Sequence, residues 1–180
     1  MASIPTHALT ALSLAPWFAA PGVPKRIWGI GMVLAALPDI DVLAFRFGVP
    51  YGAPLGHRGL SHSLLSAIVV ACVVARIAAP GGLTRPRLGL YLALAMGSHG
   101  VLDACTNGGH GVALLAPLDW TRYFAPFQPI EVSPIGLRRF LSGRGLAVLV
   151  SEAIWVWLPA SALALAGFRL NRARSLRAAA

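Results

Sequence analysis

An all-α, polytopic membrane bundle of about four to five apolar helices with one long irregular loop is the fold class this sequence predicts. Two observations predict it. Hydrophobic residues make up 57% of the 180 residues and charged residues only 12%, about half the charged share of an ordinary soluble domain. The apolar residues also come in long runs rich in Ala and Leu, separated by Pro and Gly, which favours helix over strand. With a mean hydropathy of +0.70, the surplus apolar surface calls for lipid as its solvent. The length suits one domain, expected as an embedded helical unit over 1–168 followed by a basic tail over 169–180.

The elements follow from local signals. A first segment, about His7 to Ala20, contains Pro16 and is ended by Pro21, Gly22 and Pro24. A second, Ile27 to about Phe45, is interrupted near Pro38 by Asp39 and Asp41, and a Gly/Pro-rich loop covers Gly48 to Gly59. The third is expected to start at Ser61 as N-cap and to run to Ala79, where Pro80-Gly81-Gly82 stops it. The fourth spans Leu88 to about Cys105, closed by Asn107-Gly108-Gly109. An irregular stretch over 108–145 carries four prolines with Trp120, Tyr123, Phe124 and Phe127. The last segment, Leu146 to Phe168, is long enough to cross a bilayer core. The first and fourth are short for full spans, as tilted or internally packed helices are.

A net charge of +9 and a pI near 11.3 raise nucleic acid as a partner. The basic residues, however, flank the apolar segments, as they do beside membrane helices, and no Lys/Arg run interleaved with aromatics is present. The expected partner is therefore the lipid bilayer and not nucleic acid; no protein partner is legible. Cys72 and Cys105 are isolated and fit neither a disulfide framework nor a thiolate metal site. No basic stretch precedes the first apolar run, so no cleavable signal is expected and His7 stays in the chain.

Against this apolar background the polar residues stand out. His99 and Asp103, four apart, share one face of a helix. Both are costly to bury alone, and a divalent metal compensates both. His7, the Asp39/Asp41 pair and the His57/His62 pair offer the same ligand types, in a chain with only five His and six acidic residues. Simple up-and-down alternation brings all four places to one membrane face. The weighting of Lys25, Arg26, Arg76, Arg85, Arg87 and the tail arginines puts the opposite face in the cytoplasm. Arg58, between Gly56 and Gly59, can hold a phosphate or carboxylate through its planar fork. Of Asp39 and Asp41, one can bind metal while the other orients a His or takes a proton from water. His110 reads as a loop residue, and Glu152, alone in the last apolar segment, has no assigned role. No hydrolase elbow, P-loop, dinucleotide fingerprint or H-E-x-x-H is present.

In order, His7, Leu-Pro-Asp-Ile-Asp at 37–41, His-Arg-Gly-Leu-Ser-His-Ser at 57–63 and Ser-His-Gly-Val-Leu-Asp-Ala-Cys-Thr at 98–106 resemble the membrane-bound metal-dependent hydrolases also described as LexA-binding, inner-membrane-associated hydrolases. Ala-Pro-Leu-Asp-Trp-Thr-Arg-Tyr-Phe at 116–124 and the final apolar segment look similar too. The family is in turn similar to zinc-dependent phospholipase C. That resemblance implies an all-helical fold with metal held by an early His, an Asp, a middle His and an H-x-x-x-D pair. His7, Asp39 or Asp41, His57 or His62, and His99 with Asp103 match that order. The later ligands of a three-metal cluster have only His110, Asp119 and Glu131 as counterparts, at different spacing, so one or two divalent ions, zinc by type, are expected.

The expected function is metal-assisted hydrolysis of a phosphoester or other lipid-borne ester by a multi-pass inner-membrane protein. His57, His62, His99 and Asp103 are the expected ligands, with His7 and one of Asp39/Asp41 completing the shell. The other Asp serves as base or orienting group, and Arg58, with Arg122 second, holds the anion. The alternative is a non-catalytic membrane protein whose metal is structural and which docks a regulator.

Overall fold

The structure, a computed structural model, describes residues 1–78, 81–141 and 143–179. The helix stop expected at Ala79–Pro80 and the final tail residue, Ala180, lie outside them. Every extended element among the described residues is helical; β-pairing is limited to two isolated bridges, Thr106–Ile130 and Val112–Tyr123.

Helix α1, Ile4–Phe18, places Pro5 in its first turn, where a missing N–H costs nothing. Helix α2, Arg26–Ala36, passes directly into a 3-10 helix, Leu37–Phe47. Pro38 cannot donate to an i−4 carbonyl, which disfavours continuation of the α-helical ladder there. Eleven residues is long for a 3-10 run. Two residues apart on a helix, Asp39 and Asp41 project from different faces of it. Gly48, at φ 76°, ends it in the left-handed conformation.

Helix α3, Leu64–Ile77, is capped by Ser63, whose Oγ accepts from the Ser66 amide at 3.1 Å. The cap expected at Ser61 is thus displaced by two residues, because the Ser61 hydroxyl donates to Asp41 instead. Helix α4, Arg85–Ala104, starts at Thr84 and carries the H-x-x-x-D pair at its end. The irregular stretch is shorter than expected: α5, Leu137–Phe140, and α6, Gly143–Glu152, begin within it. A π-helical segment, Ala153–Trp157, joins α6 to α7, Leu158–Ala179. Helix α7 continues through the arginines expected as a tail, since Arg, Leu, Ala and Asn present no breaker after Gly167.

Packing is carried by small residues. Ala67, Ala71 and Ala75 form one buried stripe of α3 against α4, where Gly89 and Gly97 sit, the close approach characteristic of helices in lipid. Ala11, Ala35 and Ala95, all fully buried, bring α1, α2 and α4 together. Around them lie Phe18, Ile27, Leu34, Leu88, Tyr91, Leu92 and Met96.

The number of membrane spans differs from expectation. Among the described residues two helical stretches, Arg26–Phe47 and Gly143–Arg174, have the length and apolar composition to cross a bilayer, against the four to five expected. The 15 residues of α1 and 14 of α3 reach only about 21–22 Å at 1.5 Å per residue, short of a hydrocarbon core of about 30 Å. Helix α4 has the length but places Gly, Ser, His99 and Asp103 in its second half.

Candidate metal centre

The four polar places converge at one end of the bundle. His7 lies in the second turn of α1, Asp39 and Asp41 in the 3-10 helix, and His99 and Asp103 on the last turns of α4. His57 and His62 come from the loop before α3, the latter closing a short 3-10 turn, Leu60–His62. Gly100 makes the approach possible: a Cβ there would stand 2.4 Å from the His62 carbonyl oxygen, so only glycine lets the His62 backbone rest on α4 beside His99. All six residues named as metal ligands from sequence fall into two overlapping groups. Asp39, His57, His62 and Asp103 form one, and His7, His99 and Asp103 the other, with donor atoms within 4.8 Å of one another in each.

Hydrogen bonds on the far side of the rings aim their lone pairs inward. His99 Nδ1 lies 2.7 Å from the Ala35 carbonyl oxygen, which can only accept, so Nδ1 carries the proton and Nε2 faces the centre. Asp41 stands behind the cluster, with Oδ1 2.7 Å from His57 Nδ1 and Oδ2 3.2 Å from His62 Nδ1. The Ser61 hydroxyl donates to the same Oδ2 at 2.6 Å. This is the carboxylate–histidine pairing that orients metal-bound imidazoles. The rings of His7 and His99 stack at 3.7 Å between centroids.

Six buried atoms then remain without a hydrogen-bond partner among the described residues: both ring nitrogens of His7, both oxygens of Asp39, and Nε2 of His62 and His99. Each such atom costs about 1–3 kcal/mol if nothing compensates it, and more when charged. Their spacing matches a shared cation. Two donors about 2.0–2.2 Å from one ion stand roughly 3–3.5 Å apart at neighbouring positions. His99 Nε2 to Asp39 Oδ1 is 3.4 Å, His7 Nε2 to Asp103 Oδ1 3.5 Å, and His62 Nε2 lies 3.7 Å from both Asp39 Oδ1 and Asp103 Oδ2. These His and Asp groups can bind a metal ion. Burial alone would lower the His62 imidazole, but the carboxylates of Asp39, Asp41 and Asp103 around it outweigh that and raise the group to about 9.

The arginines face the protein. Arg58, at φ 61° and wholly buried, donates from Nε to Asp103 Oδ2 at 3.1 Å, from Nη2 to Thr106 Oγ1 and from Nη1 to the Gly108 carbonyl, both at 2.8 Å. Arg122 donates to the carbonyls of His57, Tyr51 and Ala53, pinning the loop that carries His57. His110 packs against Tyr51, and exposed Asp119 bonds the Tyr123 hydroxyl. Among the described residues, neither these two nor Glu131 joins the donor groups.

Sequence reasoning left Glu152 without a role. Fully buried, it accepts from the Ser3 amide, the Ser3 hydroxyl at 2.6 Å and the Thr6 hydroxyl at 2.8 Å, and Trp157 Nε1 donates to the same Thr6 oxygen at 2.7 Å. It thereby ties the last helical stretch to the start of α1. The Ala2 amide there donates to Asp103 Oδ1 at 2.7 Å, and His7 follows one turn after Ser3. Its isolation in an apolar segment was the available signal.

The chain matches the YdjM inner membrane protein family over residues 1–174. It is 43% identical over 162 residues to the inner membrane protein YbcI of Escherichia coli (strain K12), covering 88% of this chain and 92% of that protein. No solved structure matches it. With a family match over nearly its whole length and a near full-length relative, the chain belongs to the YdjM inner membrane protein family.

Proposed function

We propose that this protein is a multi-pass, metal-dependent hydrolase of the inner membrane that cleaves a phosphoester or other lipid-borne ester with an activated water. The observation that carries it is the convergence of the unpartnered atoms of His7, Asp39, His62 and His99 beside Asp103. An all-imidazole and carboxylate donor set suits zinc. Two groups sharing Asp103 suit one ion or two. A divalent ion held there would supply a Lewis acid and lower the pKa of water to near neutrality.

The residues divide the remaining work. His62, His99, Asp39, Asp103 and His7 would hold the ion, with His57 in reach as a further donor. Asp41 keeps the His57 and His62 rings in their tautomers, and through His57, where that ring is not itself bound to the ion, it is a group that can receive a proton. Arg58 orients Asp103 in this reading, since its Nε, Nη1 and Nη2 all have protein partners, in place of the anion-holding role expected of it. Partly exposed Trp120, Tyr123, Phe124 and Phe127 suit a headgroup layer over the site. The one-face placement of the donors fits an outer-face site with the α7 arginines in the cytoplasm.

The structural-metal alternative draws on the complete enclosure of His7, His99 and Asp103. Metal analysis of detergent-purified wild type beside His99→Ala, followed by phosphodiester and lipid-ester substrates, separates the two. The hydrolase reading expects about stoichiometric metal in wild type, its loss in the variant, and turnover that Asp39→Asn abolishes while the fold persists. Metal without any turnover, and unfolding on its removal, selects the structural reading; equal, sub-stoichiometric metal in both proteins ends both.

A further inference from the structure

A cavity of about 360 Å³ runs from the bundle surface to Asp39. Its walls come from α1, the 3-10 helix and the segment before α6: Ile4, Val42, Pro134, Ile135 and Phe140, with Asp39 as the acidic side chain. The volume lies within the range of small-molecule sites, roughly 300–1,000 Å³. Both Asp39 oxygens are buried and unpartnered, so the polar end of the cavity belongs to the metal centre. The rest of the lining is predominantly apolar, its other polar groups being those of Met1, Ser3 and Ser133.

The rim points to the source of the occupant. Val42 lies in the stretch Arg26–Phe47, one of the two long enough to cross a bilayer. The same 3-10 helix turns Ile40 (60% exposed) and Leu43 (47%) outward, and Ile4 (53%) and Ile135 (38%) are exposed at the cavity itself. The mouth is therefore continuous with an apolar outer surface, which a membrane protein turns toward lipid. Moving a hydrocarbon chain from the bilayer into such a cavity is close to neutral, because both surroundings are apolar.

We propose that the cavity between α1, the 3-10 helix and the segment before α6 receives one hydrocarbon chain of a bilayer phospholipid, entering sideways and bringing its ester to Asp39. This rests on the hydrolase reading only for what happens at Asp39; occupancy of the cavity stands without it.

The test uses the full chain in phospholipid nanodiscs containing a trace of phosphatidylglycerol with a diazirine in one acyl chain. Irradiation is expected to label Ile4, Val42 or the 134–140 segment. Val42→Trp and Ile135→Trp, which fill the cavity, are expected to cut that labelling at least fivefold while metal content stays at the wild-type level. Labelling confined to other residues, or unchanged in both variants, overturns the proposal. If both variants lose metal, Phe140→Ala, which widens the cavity, must raise labelling, and an unchanged signal overturns it equally. Cavity labelling with no ester cleaved leaves the lipid site standing and removes the hydrolase. Equal cleavage of a water-soluble ester by wild type and both Trp variants, with labelling unaffected, does the reverse.

Discussion

Arg58 and Asp103 form a wholly enclosed ion pair, Nε to Oδ2 3.1 Å, with neither side chain exposed. Breaking a buried pair by removing one partner costs about 3–5 kcal/mol, because the other charge is left alone. Arg58→Met should therefore lower stability by that order in detergent unfolding experiments on chelator-treated protein. The loss should shrink when a divalent ion is restored, since the ion compensates Asp103 itself. Arg58→Lys should fall between, keeping the charge but losing the planar fork that also reaches Thr106 and Gly108. Equal losses with and without metal would place Asp103 outside the metal shell.

Asp41 serves two rings at once, so Asp41→Asn confronts one of them with an amide donor in place of an acceptor. That ring must turn over or shift its proton to the nitrogen facing the centre. Metal affinity should fall about 10–100-fold, with the helical content unchanged. A competitive-chelator titration of both proteins measures this, and an unaltered affinity would show that Asp41 does not orient the ligands.

His62 sets a pH dependence. Its folded value of about 9 lies above the usual histidine value, so in the metal-free protein the charged ring stabilises the fold. That contribution is complete below about 6.5 and is lost as pH rises through about 9. Metal must displace this proton, so apparent affinity should climb steadily between those limits and level off above them. Titrations at pH 6.5, 7.5 and 8.5 check the slope. His62→Gln should flatten it.

Glu152 anchors the beginning of α1 through three hydrogen bonds. Glu152→Ala should cost on the order of 3 kcal/mol by leaving the buried Ser3 amide without an acceptor. Because Ala2 and His7 lie on the same segment, metal affinity should drop as well. A variant destabilised to this extent but unaltered in affinity would separate the anchor from the centre.

Gly100 gives a sterically sharper check. Gly100→Ala must push the His62 carbonyl away by more than half an ångström, from an approach of 2.4 Å. Metal affinity should fall several-fold, with little change in the Leu64–Ile77 helix by circular dichroism.

Composition and local chemistry made much of this molecule legible in advance. Runs of Ala and Leu could only be helices in an apolar solvent, and prolines and glycines marked most of their ends to within a few residues. The scarcity of His and acidic residues made the six donor positions conspicuous before any geometry was known. Other features depended on partners distant in the chain. Ser61 has the side chain of a cap but bonds Asp41, and so Ser63 caps α3. Asp39 and Asp41 are indistinguishable in sequence; the winding of the 3-10 helix turns one toward the unpartnered imidazoles and the other behind them. Arg58 offered a fork for an external anion, and the fold closes it on Asp103. Glu152 gained its purpose from Ser3, nearly the whole chain away. Sequence by itself determined which groups would be costly to bury, since that is a property of each side chain. Only the tertiary structure decided which of them share that cost, since distance between remote segments is set by how small residues let the helices pack.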